Sequence, residues 1–169
     1  MSHFFTYAIL TATVSAAFAL AAPFLLAALG ETVGQRSGVI NLGVDGIMLL
    51  AAFATYYTAL ETGNLLFAIL AGIGVGAVMG VVTAFISVTL KAEQGISGIG
   101  IYLFGLGFSD LLFIKLVGTP LPINSLPAID IPLLDRIPLL GGMLFEQTIL
   151  VYLAFVLVPL VPSTRKSSD

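Results

Sequence analysis

The sequence predicts an all-α integral membrane protein: a polytopic helical bundle of about five transmembrane helices with a broken second helix. Three observations carry this. Of 169 residues, 59% are hydrophobic and only 9% charged, with a mean hydropathy of +1.12, whereas a soluble domain carries about 25% charged residues. The apolar residues gather into runs that approach or exceed the roughly 20 residues needed to cross a hydrocarbon core. Between the first two runs lies a polar, glycine-punctuated stretch, Gln35-Arg36-Ser37-Gly38-Val39-Ile40-Asn41-Leu42-Gly43-Val44-Asp45-Gly46. A carboxylate and a carboxamide beside a lipid-length helix are costly unless they face protein or water. That stretch is therefore the first place to look for function.

The runs follow in order. The first, Tyr7 to Leu29, has no charge, and Pro23 inside it can kink a helix. No Lys or Arg precedes it, so it lacks the basic start of a signal peptide and reads as a retained span. The second is Val39 to Leu60, opening with the polar stretch. The third is Leu65 to Leu90. The fourth is Ile96 to Val117, interrupted by Asp110 and Lys115. The fifth, Gln147 to Val161, is short and ends among Pro159 and Pro162. Glu61-Thr62-Gly63-Asn64 and Lys91-Ala92-Glu93-Gln94-Gly95 read as tight turns. Gly118 to Glu146 contains Pro120, Pro122, Pro127, Pro132 and Pro138, so it cannot be one helix; its apolar residues suggest a loop on the membrane surface. Residues 1–162 form the expected membrane domain, and 163–169 a polar, disordered tail. Arg36, Lys91, Arg165 and Lys166 fall on one side, against Arg136 and Lys115 on the other. The basic excess places the first set in the cytoplasm, the N-terminus outside and the C-terminus inside.

Composition also excludes. With no cysteine and a lone His3 at the N-terminus, no metal site and no catalytic residue is expected. Ser97, in Gly95-Ile96-Ser97-Gly98, has no neighbouring base to activate it. A net charge of −3 without a basic cluster argues against nucleic acid. Gly72, Gly76 and Gly80 recur every fourth residue and suit close helix packing. Glycines 95, 98, 100, 105 and 107 permit an unwound helix near Ser97. Gly38, Gly43 and Gly46 flank Asp45 and allow the backbone to leave helical geometry. Two readings of Asp45 stand side by side: it lines a broken helix, or it lies at the start of the helix that follows, where the dipole favours a carboxylate.

The residues Arg36 to Met48 resemble the signature of inner-membrane permease subunits of bacterial ABC importers, in the branch for simple sugars and nucleosides. Gln35 stands where that branch carries an acid, and Asp45 where it carries Glu. Gln94 to Ile101 resembles a second segment, and Pro138-Leu139-Leu140-Gly141 through Pro159-Leu160 a third. The resemblance implies a permease subunit working with a second permease subunit, cytoplasmic ATPase subunits and a periplasmic or lipoprotein solute-binding protein, with ATP bound by the partners and no cofactor here. It implies a pathway role for Asn41, Asp45 and Ser97. Members of the family are about twice as long, so the chain is expected to be an N-terminal half that stops before the ATPase-coupling loop. The competing readings are a carrier or channel subunit outside this family, and a membrane fragment that does not transport.

Overall fold

The computed structural model describes residues 7–123, 128–130 and 146–160. His3, most of the proline-rich segment and the tail from Ser163 lie outside the described residues. Among the described residues there are five α-helices, in line with the expected helical bundle: α1 (Tyr7–Arg36), α2 (Val44–Thr62), α3 (Leu65–Ala84), α4 (Gln94–Leu116) and α5 (Ile149–Leu160). A π-helical turn, Phe85–Thr89, extends α3. Two three-residue strands, β1 (Ala128–Asp130) and β2 (Glu146–Thr148), pair antiparallel with Ile129 opposite Gln147. By length and composition, α1, α3 with its π-turn, and α4 can each cross a membrane. The chain is a multi-pass membrane protein.

The residues divide into two compact units, Met1–Leu29 with Leu126–Asp169, and Gly30–Ser125. In the first, α5 packs on α1. Ala22, Val151 and Ala154 are buried there, with Leu25 and Leu26 against them, and the rings of Phe18 and Phe155 lie 5.4 Å apart.

The second unit holds the end of α1 and helices α2 to α4. Helix α2 ends where Gly63 takes a left-handed φ of 63° and its N–H closes on the Ala59 carbonyl. The Asn64 side chain then accepts from Leu66 N at 2.9 Å and starts α3, so α2 and α3 run antiparallel. Gly72 of α3 is buried against Ala51 and Thr55 of α2. After the π-turn, Lys91 takes a φ of 51°, and Glu93 caps α4 by accepting from Gly95 N and Ile96 N.

Helices α2 and α4 run parallel and meet backbone to backbone. A Cβ on Gly43 would lie 2.7 Å from Ile101 Cγ2, one on Gly46 2.7 Å from the Tyr102 Cα, and one on Gly105 2.6 Å from the Gly46 Cα. All three are closer than a Cβ can sit. Further along, the helices are spaced by aromatic rings, with Tyr56 and Phe113 at 6.1 Å.

Three expectations are corrected in detail. Helix α1 continues past Leu29 to Arg36, because Gly30 and Gly34 are accommodated within it. The second span is helical only from Val44, so the break lies at its entrance. The helix near Ser97 is not unwound: α4 is continuous from Gln94, and Gly98 and Gly105 face Leu42 and Gly46.

Candidate functional site: the polar link between α1 and α2

The stretch singled out in the sequence folds as a short ordered link between α1 and α2. Two turns close the end of α1, from Ser37 N to Gly34 O and from Gly38 N to Gln35 O, both 3.0 Å. Gly38 then takes a φ of 80°, a left-handed conformation that a Cβ disfavours. This residue reverses the chain out of the helix.

The link is lashed down from two sides. From α1, the Glu31 carboxylate accepts from Asn41 N at 3.0 Å and from the Gln35 side chain at 3.1 Å. From α4, the Gln94 carboxamide accepts from Ile40 N at 2.8 Å and donates to Gly38 O at 3.3 Å. Within the link, Asn41 Oδ1 accepts from Gly43 N at 3.0 Å. Consecutive backbone groups that no helix or strand serves are thus satisfied by side chains. Helix α2 begins with Ile47 N donating to Gly43 O.

The expected site residues separate by role. Asn41 is half-buried and shapes the link. Asp45 lies in the first turn of α2, exposed, and among the described residues its carboxylate makes no hydrogen bond or ion pair. A negative charge there is favoured by the helix dipole. Ser97 is nearby on α4, but its hydroxyl donates to Glu93 O at 2.7 Å within its own helix. Gly38 turns the chain, whereas Gly43 and Gly46 are buried in the α2–α4 contact. Of Gly72, Gly76 and Gly80, only Gly72 closely approaches a neighbour; a Cβ on the other two meets nothing within 4 Å.

The sequence reveals neither the tie that Gln94 makes to the link nor that Gly98 and Gly105 pack on Leu42 and Gly46 instead of unwinding α4. Gln94 was visible only as part of a motif, because its partners lie 54 and 56 residues away. Among the described residues, Glu93 is a group whose titration is displaced. The N–H groups of Ile96, then of Gly95, stabilise its carboxylate and hold its pKa below the ordinary value.

Residues 13–164 match the family described as the branched-chain amino acid transport system permease component. The chain belongs to this permease family. Similar proteins include the putative glucose ABC transporter permease protein TsgC13 of Haloferax volcanii, 37% identical over 93% of this chain and 47% of its own length. The guanosine ABC transporter permease protein NupQ of Bacillus subtilis is 33% identical over 82% of this chain and 46% of its own. The nucleoside ABC transporter permease protein NupC of Lactococcus lactis is 28% identical over 75% and 42%. The resemblance to sugar and nucleoside permeases is therefore shown, and the relatives are permeases, not enzymes. The chain spans about half the length of these relatives. No solved structure matches it.

Proposed function

We propose that this permease chain forms part of the transmembrane pathway of an ABC importer for a small polar solute, such as a nucleoside or a simple sugar. The observation that carries the reading is the link. It presents the open carboxylate of Asp45 at the entrance of α2, on a backbone fixed by Glu31, Asn41 and Gln94. An unpaired carboxylate beside apolar helices needs water or a polar solute facing it. Ordered irregular backbone is tolerated at membrane depth where it borders a cavity. Asp45 contacts the solute, Asn41 keeps the link in shape, and Ser97 borders the path one helix away.

In this reading the chain assembles with a second permease subunit and with ATPase subunits that bind and hydrolyse ATP. A periplasmic or lipoprotein binding protein delivers the solute from outside. The link and the start of α4 face the cytoplasm, and the N-terminus lies outside. Basic residues support this: Arg36 and Lys91 lie at the link end of the second unit, and among the described residues Lys115 lies near the other end of α4.

The test is solute uptake by the assembled transporter. Among the described residues Asp45→Ala removes no bond, so a fall in uptake of about tenfold or more is expected with normal protein levels. Asn41→Ala is expected to reduce uptake by loosening the link. Unchanged uptake in both variants would end the pathway assignment.

A further inference from the structure

Beyond the glycine contact, α2 and α4 diverge and leave an open groove of 610 Å³ along one side. Phe53 and Tyr56 of α2 and Phe113 of α4 form its walls, and Ser109 and Asp110 of α4 lie between them. Gly107 also borders it, where a Cβ would meet nothing within 4 Å. The Tyr56 ring is held in place, because its hydroxyl donates to Leu121 O and accepts from Leu121 N, both at 2.8 Å. The Ser109 hydroxyl is spent on Leu106 O at 3.0 Å. Asp110 is different. Among the described residues its carboxylate has no hydrogen bond and no ion pair.

Depth makes this carboxylate unusual. Helix α4 has 23 residues, about 34 Å at 1.5 Å per residue, against a hydrocarbon core of about 30 Å. Asp110 lies about 9 Å before the end of the helix, so a centred α4 carries it several ångströms below the interface. A lysine can bridge that distance with its long stem, as Lys115 can closer to the end, but an aspartate cannot. An acidic group held at that depth faces a partner, a cavity or a ligand.

We infer that this groove is a second solute-binding station, in which Asp110 takes hydrogen bonds from the hydroxyl or N–H groups of a neutral solute while Phe53, Tyr56 and Phe113 cover its flat face. The inference rests on the permease reading above and adds a site to it. A carboxylate can only accept, so the ligand must bring donors. The aromatic walls suit the face of a sugar or a base, and the volume is that of a small-molecule site. The groove also shares a helix face with the link: Asp45, Leu49, Ala52 and Tyr56 fall on one face of α2 at helical spacing, and the last three line the groove. One stripe of α2 therefore runs from Asp45 to the groove that holds Asp110.

The experiment is equilibrium binding of tritiated guanosine and tritiated glucose to the assembled, detergent-solubilised transporter without ATP. The expected result is that one of them binds, that Asp110→Ala weakens binding at least about tenfold, and that Phe113→Ala weakens it severalfold. Lys115→Ala, nearby but outside the groove, leaves it unchanged. Wild-type affinity in Asp110→Ala overturns the inference. So does failure of Asp110→Ala and Asp110→Asn to enter the complex, which would make the carboxylate an ion-pair partner for another subunit. Binding of organic amines in place of the neutral solutes also overturns it. A wild-type transporter that moves neither nucleosides nor hexoses refutes the solute class proposed above, and the groove assignment falls with it.

Discussion

A methyl group added at Gly105 would sit 2.6 Å from the Gly46 Cα, with the Gly46 carbonyl closer still. Backbone cannot swing aside as a side chain can, so the helices must separate. Gly105→Ala is expected to destabilise the chain by about 1–3 kcal/mol, the usual cost of overpacking. Gly76→Ala meets open space and is expected to stay within about 0.5 kcal/mol of the original. Unfolding in mixed micelles, followed by helical circular dichroism, would compare the two; equal stabilities would contradict the packing described. Both residues look alike in the sequence, each one glycine in a glycine-rich apolar run. What separates them is the identity of the neighbour, which is set by the crossing of α2 and α4 and not by local spacing. For the same reason Asn41 and Asp45 stood out from the sequence as polar residues in an apolar setting, whereas Gln94 did not show its role. Its two bonds to the link exist only after α4 has been brought alongside.

At the scale of elements, the start of α4 shows what a cap contributes. Expected from the sequence at Ile96, the helix begins at Gln94 because the Glu93 side chain satisfies two N–H groups of the first turn. Those bonds favour the ionised carboxyl and depress its pKa from 4.5. A depressed acid stabilises the folded state fully above its unfolded pKa, and that contribution is lost as the pH falls through the lower folded value. Exchange of the Gly95 and Ile96 amides, corrected for intrinsic rates, is therefore expected to lose protection on acidification below about pH 4.5. In Glu93→Gln that pH dependence is expected to vanish. The same trend in both proteins would show that another group controls the turn. Helices α3 and α4 were otherwise legible within a few residues, because long uncharged runs leave little choice of element. The π-turn after α3 was not, since no residue in Phe85–Thr89 marks a change of hydrogen-bond spacing.

For the whole molecule, the pattern of five apolar runs points to a helical bundle in a membrane setting, and each run underlies one of the α-helices among the described residues. Many large apolar side chains remain exposed, among them Leu20, Val81 and Ile96, the last at 75%; a bilayer accepts such surfaces where water would not. The proposed orientation makes a further prediction. Ser37→Cys at the link and Glu61→Cys at the α2–α3 turn lie at opposite ends of α2. A membrane-impermeant maleimide added to intact cells is expected to label Glu61→Cys and to spare Ser37→Cys until the membrane is opened. The reverse pattern would invert the topology. The division of charge that suggests this orientation is legible in the sequence, but the way the two halves of a turn satisfy each other is not.

The contact between Gly46 and Gly105 has a consequence for how the second unit comes together. Joining two helices through leucines freezes rotamers on both sides, and each frozen side chain carries an entropic cost. Glycine has no rotamer to lose, and once both helices exist in the bilayer its backbone is already ordered. At Gly46 and Gly105 the seam therefore forms without freezing a side chain, and the rotamer cost falls on the flanking Leu42 and Ile101.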